Sequence, residues 1–235
     1  MWPFRRKQKP NYAQLTEPKI VPPDPTPDTP TPFGYKTTWW VIKSEDSEDV
    51  ADSIALVDRL PCNWESGIAN AYANGIFVSP PVDGWVFVAG RILAPDGNDP
   101  SSECLAALLQ LSNRYGDVQV FSTHRVVGYN VWARAKSGQL VPGFGYLGET
   151  GETLWNEGDD TTEIDMGWSF FDSETIDAEQ FDPESDDYDE FDSPTEDRVM
   201  EMASEWSISP TSLDSIKSLG VGWIGHSSRV LQNAG

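Results

Sequence analysis

His124 and Arg125 stand side by side in STHRVVGYN, with Tyr129 four residues further on. An imidazole titrates near neutral pH and can act as a general base, and a guanidinium beside it can hold an anion. With Glu149 or Glu152 close by, His124, Arg125 and Tyr129 would make a small acid–base site. The plainer alternative is that His124 and Arg125 hydrogen-bond a strand turn and pair with the acidic stretch that follows. The other histidine, His226, stands far off near the end of the chain.

Other catalytic signatures are missing from the sequence. There is no G-x-S-x-G, no Walker loop and no H-E-x-x-H. Gly143-Phe144-Gly145-Tyr146-Leu147-Gly148 is rich in glycine but lacks the lysine and apolar helix of a phosphate cradle. Cys62 and Cys104 are too few for a disulfide scaffold or a zinc site, and they suit two buried thiols in a reducing compartment. Asp96-Gly97-Asn98-Asp99 and Asp159-Asp160 with Glu163 and Asp165 could meet calcium, but neither keeps EF-hand spacing. The expectation is no cofactor and no metal, and a chain that is more binding protein than enzyme.

Charge separates sharply along the chain. The net charge is -22, and residues 149–197 hold 20 of the 38 acids and none of the 16 bases; the remainder carries 18 acids against 16 bases, a net of -2. Such a body has no electrostatic footprint for nucleic acid. The acidic stretch either solubilises the chain or docks on a basic protein, as a string of carboxylates imitating a phosphate backbone. On the docking view the contact residues are Asp182, Glu184, Asp186, Asp187, Asp189, Glu190 and Asp192, with Phe181, Tyr188 and Phe191 as apolar anchors. An immunity- or inhibitor-like protein facing a toxin or a nucleic-acid-processing enzyme is the leading expectation. A small enzyme around His124 and an adaptor presenting its proline-rich front are the alternatives.

The elements that would position these groups are legible in outline. Residues 117–148 alternate apolar and polar side chains in three runs and read as three adjacent strands, with Gly138 at the positive-φ position of a hairpin. Gly143 and Gly145 thin one face of the third strand and predict a bend or a close approach. Tyr35–Lys43 reads as a first strand, and two more flank Pro80-Pro81 and Asp83-Gly84. Ser47 reads as a helix cap, with Val50, Ile54 and Val57 at helical spacing up to Pro61. Asn63–Tyr72 reads as a short helix. Asp99 caps another that has Pro100 at its first position, carries Leu105, Leu108 and Leu109, and ends at Gly116. Ser193-Pro194-Thr195-Glu196 reads as a capping box before Val199, Met202, Ala203 and Trp206.

Residues 1–34 carry nine prolines and predict a disordered, extended spacer. Arg5, Arg6 and Lys7 do not make a stable membrane anchor, which takes two signals. No run approaches the ~18 apolar residues of a membrane span, so the expectation is a cytoplasmic protein. The predicted organisation is a proline-rich segment over 1–34, a domain over 35–168, a disordered acidic insertion over 169–192, and helices over 193–235 that pack on the domain. The predicted fold is α+β, a mostly antiparallel sheet of five or six strands with helices on one face.

The blocks GIFVSPPVDGWVFVAG, DVQVFSTHRVVGYNVWARAKSGQLVPGFGYLGETGETLWNEG and VMEMASEWSISPTSLD resemble, in the same order across residues 65–215, a family of uncharacterised bacterial cytoplasmic proteins. The resemblance implies a shared fold and carries no activity with it. The proline-rich front and the acidic insertion depart from the family's pattern.

Overall fold

The computed structural model describes residues 21–94, 99–159, 161–168 and 194–227. At its centre is the run TWWVIK, strand β1 (Thr38–Lys43). Trp39 and Val41 point to one side of the sheet and Trp40 and Ile42 to the other, and none is more than 1% exposed. A strand that is apolar on both sides has to be covered by two layers.

β1 lies between β4 (Trp85–Ala89) and β5 (Asp117–His124), antiparallel to both. Beyond β5 come β6 (Tyr129–Lys136), β7 (Gln139–Leu147) and β8 (Glu152–Gly158). Beyond β4 come β3 (Ile76–Val78), β9 (Gly222–Ser227) and β2 (Leu56–Cys62). Among the described residues the result is one nine-stranded sheet in the order β2-β9-β3-β4-β1-β5-β6-β7-β8, with every pairing antiparallel.

Helices cover both faces. α1 (Ser47–Ser53) and α3 (Pro100–Tyr115) lie over Trp40, Ile42, Val88, Val120 and Val131. On the other face α2 (Trp64–Ala73), α5 (Glu196–Trp206) and a 3-10 turn (Pro210–Ser215) cover Trp39, Val41, Phe87, Phe121 and Trp132. The rings there interlock: Trp39 stacks on Phe121 at 5.3 Å between centroids, and Trp132 on Phe144 at 4.6 Å. A short helix, α4 (Thr161–Asp165), brings Glu163 under Trp132.

The α+β class and the antiparallel sheet are as the sequence predicts, but five or six strands with helices on one face is corrected to nine strands with helices on both. Three strands escape the pattern, each for its own reason. In β2, Val57 continues the helical spacing of Val50 and Ile54, but Ala55 takes φ +52°, a left-handed value that ends the helix before it. β8 is a polar edge strand, and Trp155 is its fully buried residue. β9 holds Gly222 and Gly225 because it is squeezed between β3 and β2. A Cβ on Gly222 would stand 2.1 Å from the Val78 carbonyl oxygen, and one on Gly225 2.6 Å from that of Val57. The described part of this region, residues 194–227, therefore holds a strand of the sheet as well as helices.

Part of the predicted spacer is also built in. Asp28 accepts from the amides of Trp64 (2.7 Å) and Glu65 (3.0 Å), satisfying the open first turn of α2. Phe33 is buried edge-on against Trp39 and Phe87. A proline-rich chain has few amides to pair, yet its carbonyls and carboxylates can serve amides that other elements leave open. Residues 1–20 and the acidic stretch 169–193 lie outside the described residues. Among the described residues no helix is long and apolar enough to cross a membrane.

Candidate functional site

The start of β1, the ends of β4 and β5 and the start of β6 meet at one rim of the sheet. Gly90 donates to the Thr38 carbonyl there, and Thr38 faces Ser122. His124 and Tyr129 are the last cross-strand pair of β5 and β6, directly opposite each other across the turn. Alternation puts both on the α1–α3 face with Ser122 and Val131.

A cavity of about 300 Å³ opens at this rim. Lys36, Arg91, His124 and Tyr129 line it, with Val127 and Ala94 as apolar walls. Its hydroxyls are already committed. Thr38 and Ser122 bond each other at 2.6 Å, and Thr123 donates to the Gly34 carbonyl while accepting from the Lys36 amide at 2.9 Å. The groups that these bonds leave for a ligand are therefore the two cations and the imidazole. Neither Lys36 nor Arg91 joins an ion pair among the described residues. The His124 Nδ1 is buried without a hydrogen-bond partner among the described residues.

Lys36 holds φ +55°, a left-handed conformation that costs a non-glycine residue about 1–2 kcal/mol. Its amide is tied to Thr123, and the Tyr35 carbonyl before it accepts from the Tyr72 hydroxyl at 2.7 Å. Strain of this kind, held in place by surrounding bonds, is commonly stored where a side chain has work to do.

Arg125 is not part of this cleft. It turns to the α5 face, where its Nε meets Glu196 Oε2 at 2.8 Å and its guanidinium lies over Tyr35. Glu149 is exposed; its amide donates to the Val127 carbonyl and its carboxylate is not among the lining groups. Glu152 opens β8 at the surface. The structure thus joins two of the sequence candidates, His124 and Tyr129, and separates Arg125 and Glu149 from them. It adds Lys36 and Arg91. Both arrive through strand register, and no local pattern in the sequence announces them.

Of the calcium candidates, Asp96, Gly97, Asn98 and Asp160 lie outside the described residues, while Asp99, Asp159 and Glu163 have other work. Asp99 caps α3, accepting from the Ser101 and Ser102 amides, and the Ser101 hydroxyl and Ser102 amide hold its carboxyl below the usual range. Asp159 accepts from Thr161, whose hydroxyl lowers its carboxyl in the same way. Glu163 is buried and accepts from the Trp132 indole at 2.7 Å. Among the described residues no group of three His, Cys, Asp or Glu could hold a metal ion. Cys62 and Cys104 are buried thiols outside any disulfide, and burial pushes the Cys62 thiol's pKa up. The proposed contact residues Asp182, Glu184, Asp186, Asp187, Tyr188, Asp189, Glu190, Phe191 and Asp192 lie outside the described residues.

No protein-family model, no curated protein and no solved structure matches this chain.

Proposed function

We propose that this chain is a binding protein whose rim cleft takes a small anionic ligand, a carboxylate or phosphate head group on a short apolar body. One observation carries the reading: two cations without ion-pair partners among the described residues and an imidazole line a cleft whose described lining residues include no acid, in a chain of net charge -22. Such a local reversal of sign attracts anions against the field of the whole molecule. Val127 and Ala94 give the apolar body a wall. Catalysis by His124, Arg125 and Tyr129 together is less well supported, because Arg125 serves the other face.

The chain's two histidines make the test direct. The full chain is titrated with inorganic phosphate and with benzoate while the imidazole signals are followed by NMR, His226 serving as the reference. The His124 signals are expected to shift and saturate, and the response to disappear in the Lys36→Gln, Arg91→Gln double variant. A His124 signal indifferent to both anions sinks the reading.

The charge distribution favours a second reading: an immunity- or inhibitor-like protein that engages a basic partner, such as a toxin or a nucleic-acid-processing enzyme, through its acidic surface. Twenty acids without a base in residues 149–197 motivate it. A deca-arginine peptide should bind the full chain at low salt and release at high salt. Absence of binding at low salt, or binding that salt does not weaken, removes this reading.

A further inference from the structure

The α5 face of the same rim holds a second cavity, of about 500 Å³, lined by Tyr35, Arg125, Asn130, Glu196 and Asp197. Its chemistry is the reverse of the first. Asn130 is 2% exposed, and its Nδ2 donates to the carbonyls of Gly128 (3.2 Å) and Pro194 (2.8 Å). Those two acceptors fix the amide's orientation and leave Oδ1 buried with no donor among the described residues. Glu196 is in a similar position: Oε2 is paired with Arg125, and Oε1 is buried with no donor among the described residues. Asp197 accepts from the Tyr35 hydroxyl at 3.2 Å and is otherwise open. One cavity thus gathers two carboxylates and an amide oxygen, with two buried acceptors unserved and a single cation, the half-exposed Arg125, among the described lining residues.

We infer that this cavity is a docking site for a basic side chain of a partner protein, its ammonium or guanidinium N–H groups supplying the donors that Glu196 Oε1 and Asn130 Oδ1 lack. The site rests on the partner-binding reading above and gives that reading a defined contact on the folded body. Arg125 acts as a movable wall. With half its side chain in solvent it can swing aside without uncovering apolar core, while Glu196 is anchored in the first turn of α5. N–H donors matter here as much as charge, because a buried acceptor is satisfied only by a hydrogen bond.

The experiment measures binding of a fluorescent oligolysine peptide to the full chain by anisotropy, in parallel with an oligoarginine peptide and a trimethyllysine version that keeps the charge and loses the donors. Glu196→Gln is expected to weaken oligolysine roughly tenfold or more. Glu205→Gln, an equal charge change on the exposed side of α5, should leave affinity as it was. The trimethyllysine peptide should bind the wild type as weakly as oligolysine binds Glu196→Gln. The oligoarginine arm decides which basic group fits better. Equal affinity of Glu196→Gln and wild type, or of methylated and unmethylated peptides, overturns the site; if binding then persists and still weakens with salt, the partner-binding reading stands without it. No binding of any peptide overturns both. Arg125→Gln guards against a folding artefact: it breaks the same ion pair yet should bind oligolysine at least as tightly as the wild type.

Discussion

At the scale of single residues, Lys36 couples stability to function with opposite signs. Its left-handed backbone is held by the Thr123 hydroxyl and by the Tyr72 bond to the neighbouring carbonyl, so the strain persists whatever side chain stands there. Glycine adopts this conformation without the Cβ clash, and part of that gain is offset by its freedom in the unfolded chain. Lys36→Gly should therefore leave the protein as stable or more stable, by roughly 1 kcal/mol or less. The same change should weaken phosphate and benzoate at the His124 cleft. Urea titration and the NMR titration read the two effects separately. A Lys36→Gly protein clearly less stable than wild type would mean that the lysine stem packs, and that its conformation is not a concession to binding.

At the scale of elements, the parts that could be read from the sequence are those whose signals are local. α3 is one: Asp99 caps it, Pro100 opens it and Gly116 closes it, all within the stretch itself. Asp99→Ala should cost about 1 kcal/mol. Asp99→Asn should cost little at neutral pH, since asparagine caps as well. The carboxyl is held below its unfolded value, so its contribution is present above about pH 4 and is lost as pH falls through the depressed folded value. Asp99→Asn should remove that portion of the acid limb and keep the neutral-pH stability, while Asp99→Ala should remove it by lowering stability at neutral pH; identical acid limbs in wild type and Asp99→Asn would refute the assignment. The β5–β6 hairpin was legible for the same reason, and with it the meeting of His124 and Tyr129, two hairpin residues that face one another across a short turn. Lys36 and Arg91 were not, because their places depend on β1 pairing with β4 and β5 across long sequence separations. Gly143 lies between these cases. A thin strand face was visible, but that the Trp155 indole of β8 fills it, 2.4 Å from where a Cβ would stand, depends on a strand whose polar sequence hid it.

At the scale of the whole molecule, the two ends of the described chain close the same side of the sheet. Asp28 bridges Gly220 and caps α2, and β9 runs between β3 and β2. β2 pairs with β9 alone among the described strands, so a strand formed by residues 56–62 waits for residues 222–227 before it has a partner. Contacts of such sequence separation are paid for late in folding, after the loop between them has closed. This edge of the sheet should then unfold as one unit, with β2 and β9 failing together. Gly222→Ala tests this at a single atom. Its Cβ would overlap the Val78 carbonyl, a backbone atom that cannot rotate away, so β9 must shift out of register or leave. The expected cost is about 2–4 kcal/mol, in the range of severe single substitutions. Hydrogen exchange should speed up across β2 and β3 as well as β9, while the β6–β7 hairpin on the far side keeps more of its protection. Loss confined to β9 would show that β2 is held by α1 and not by its strand partner. Loss spread evenly over all nine strands would show that the far hairpin has no stability of its own.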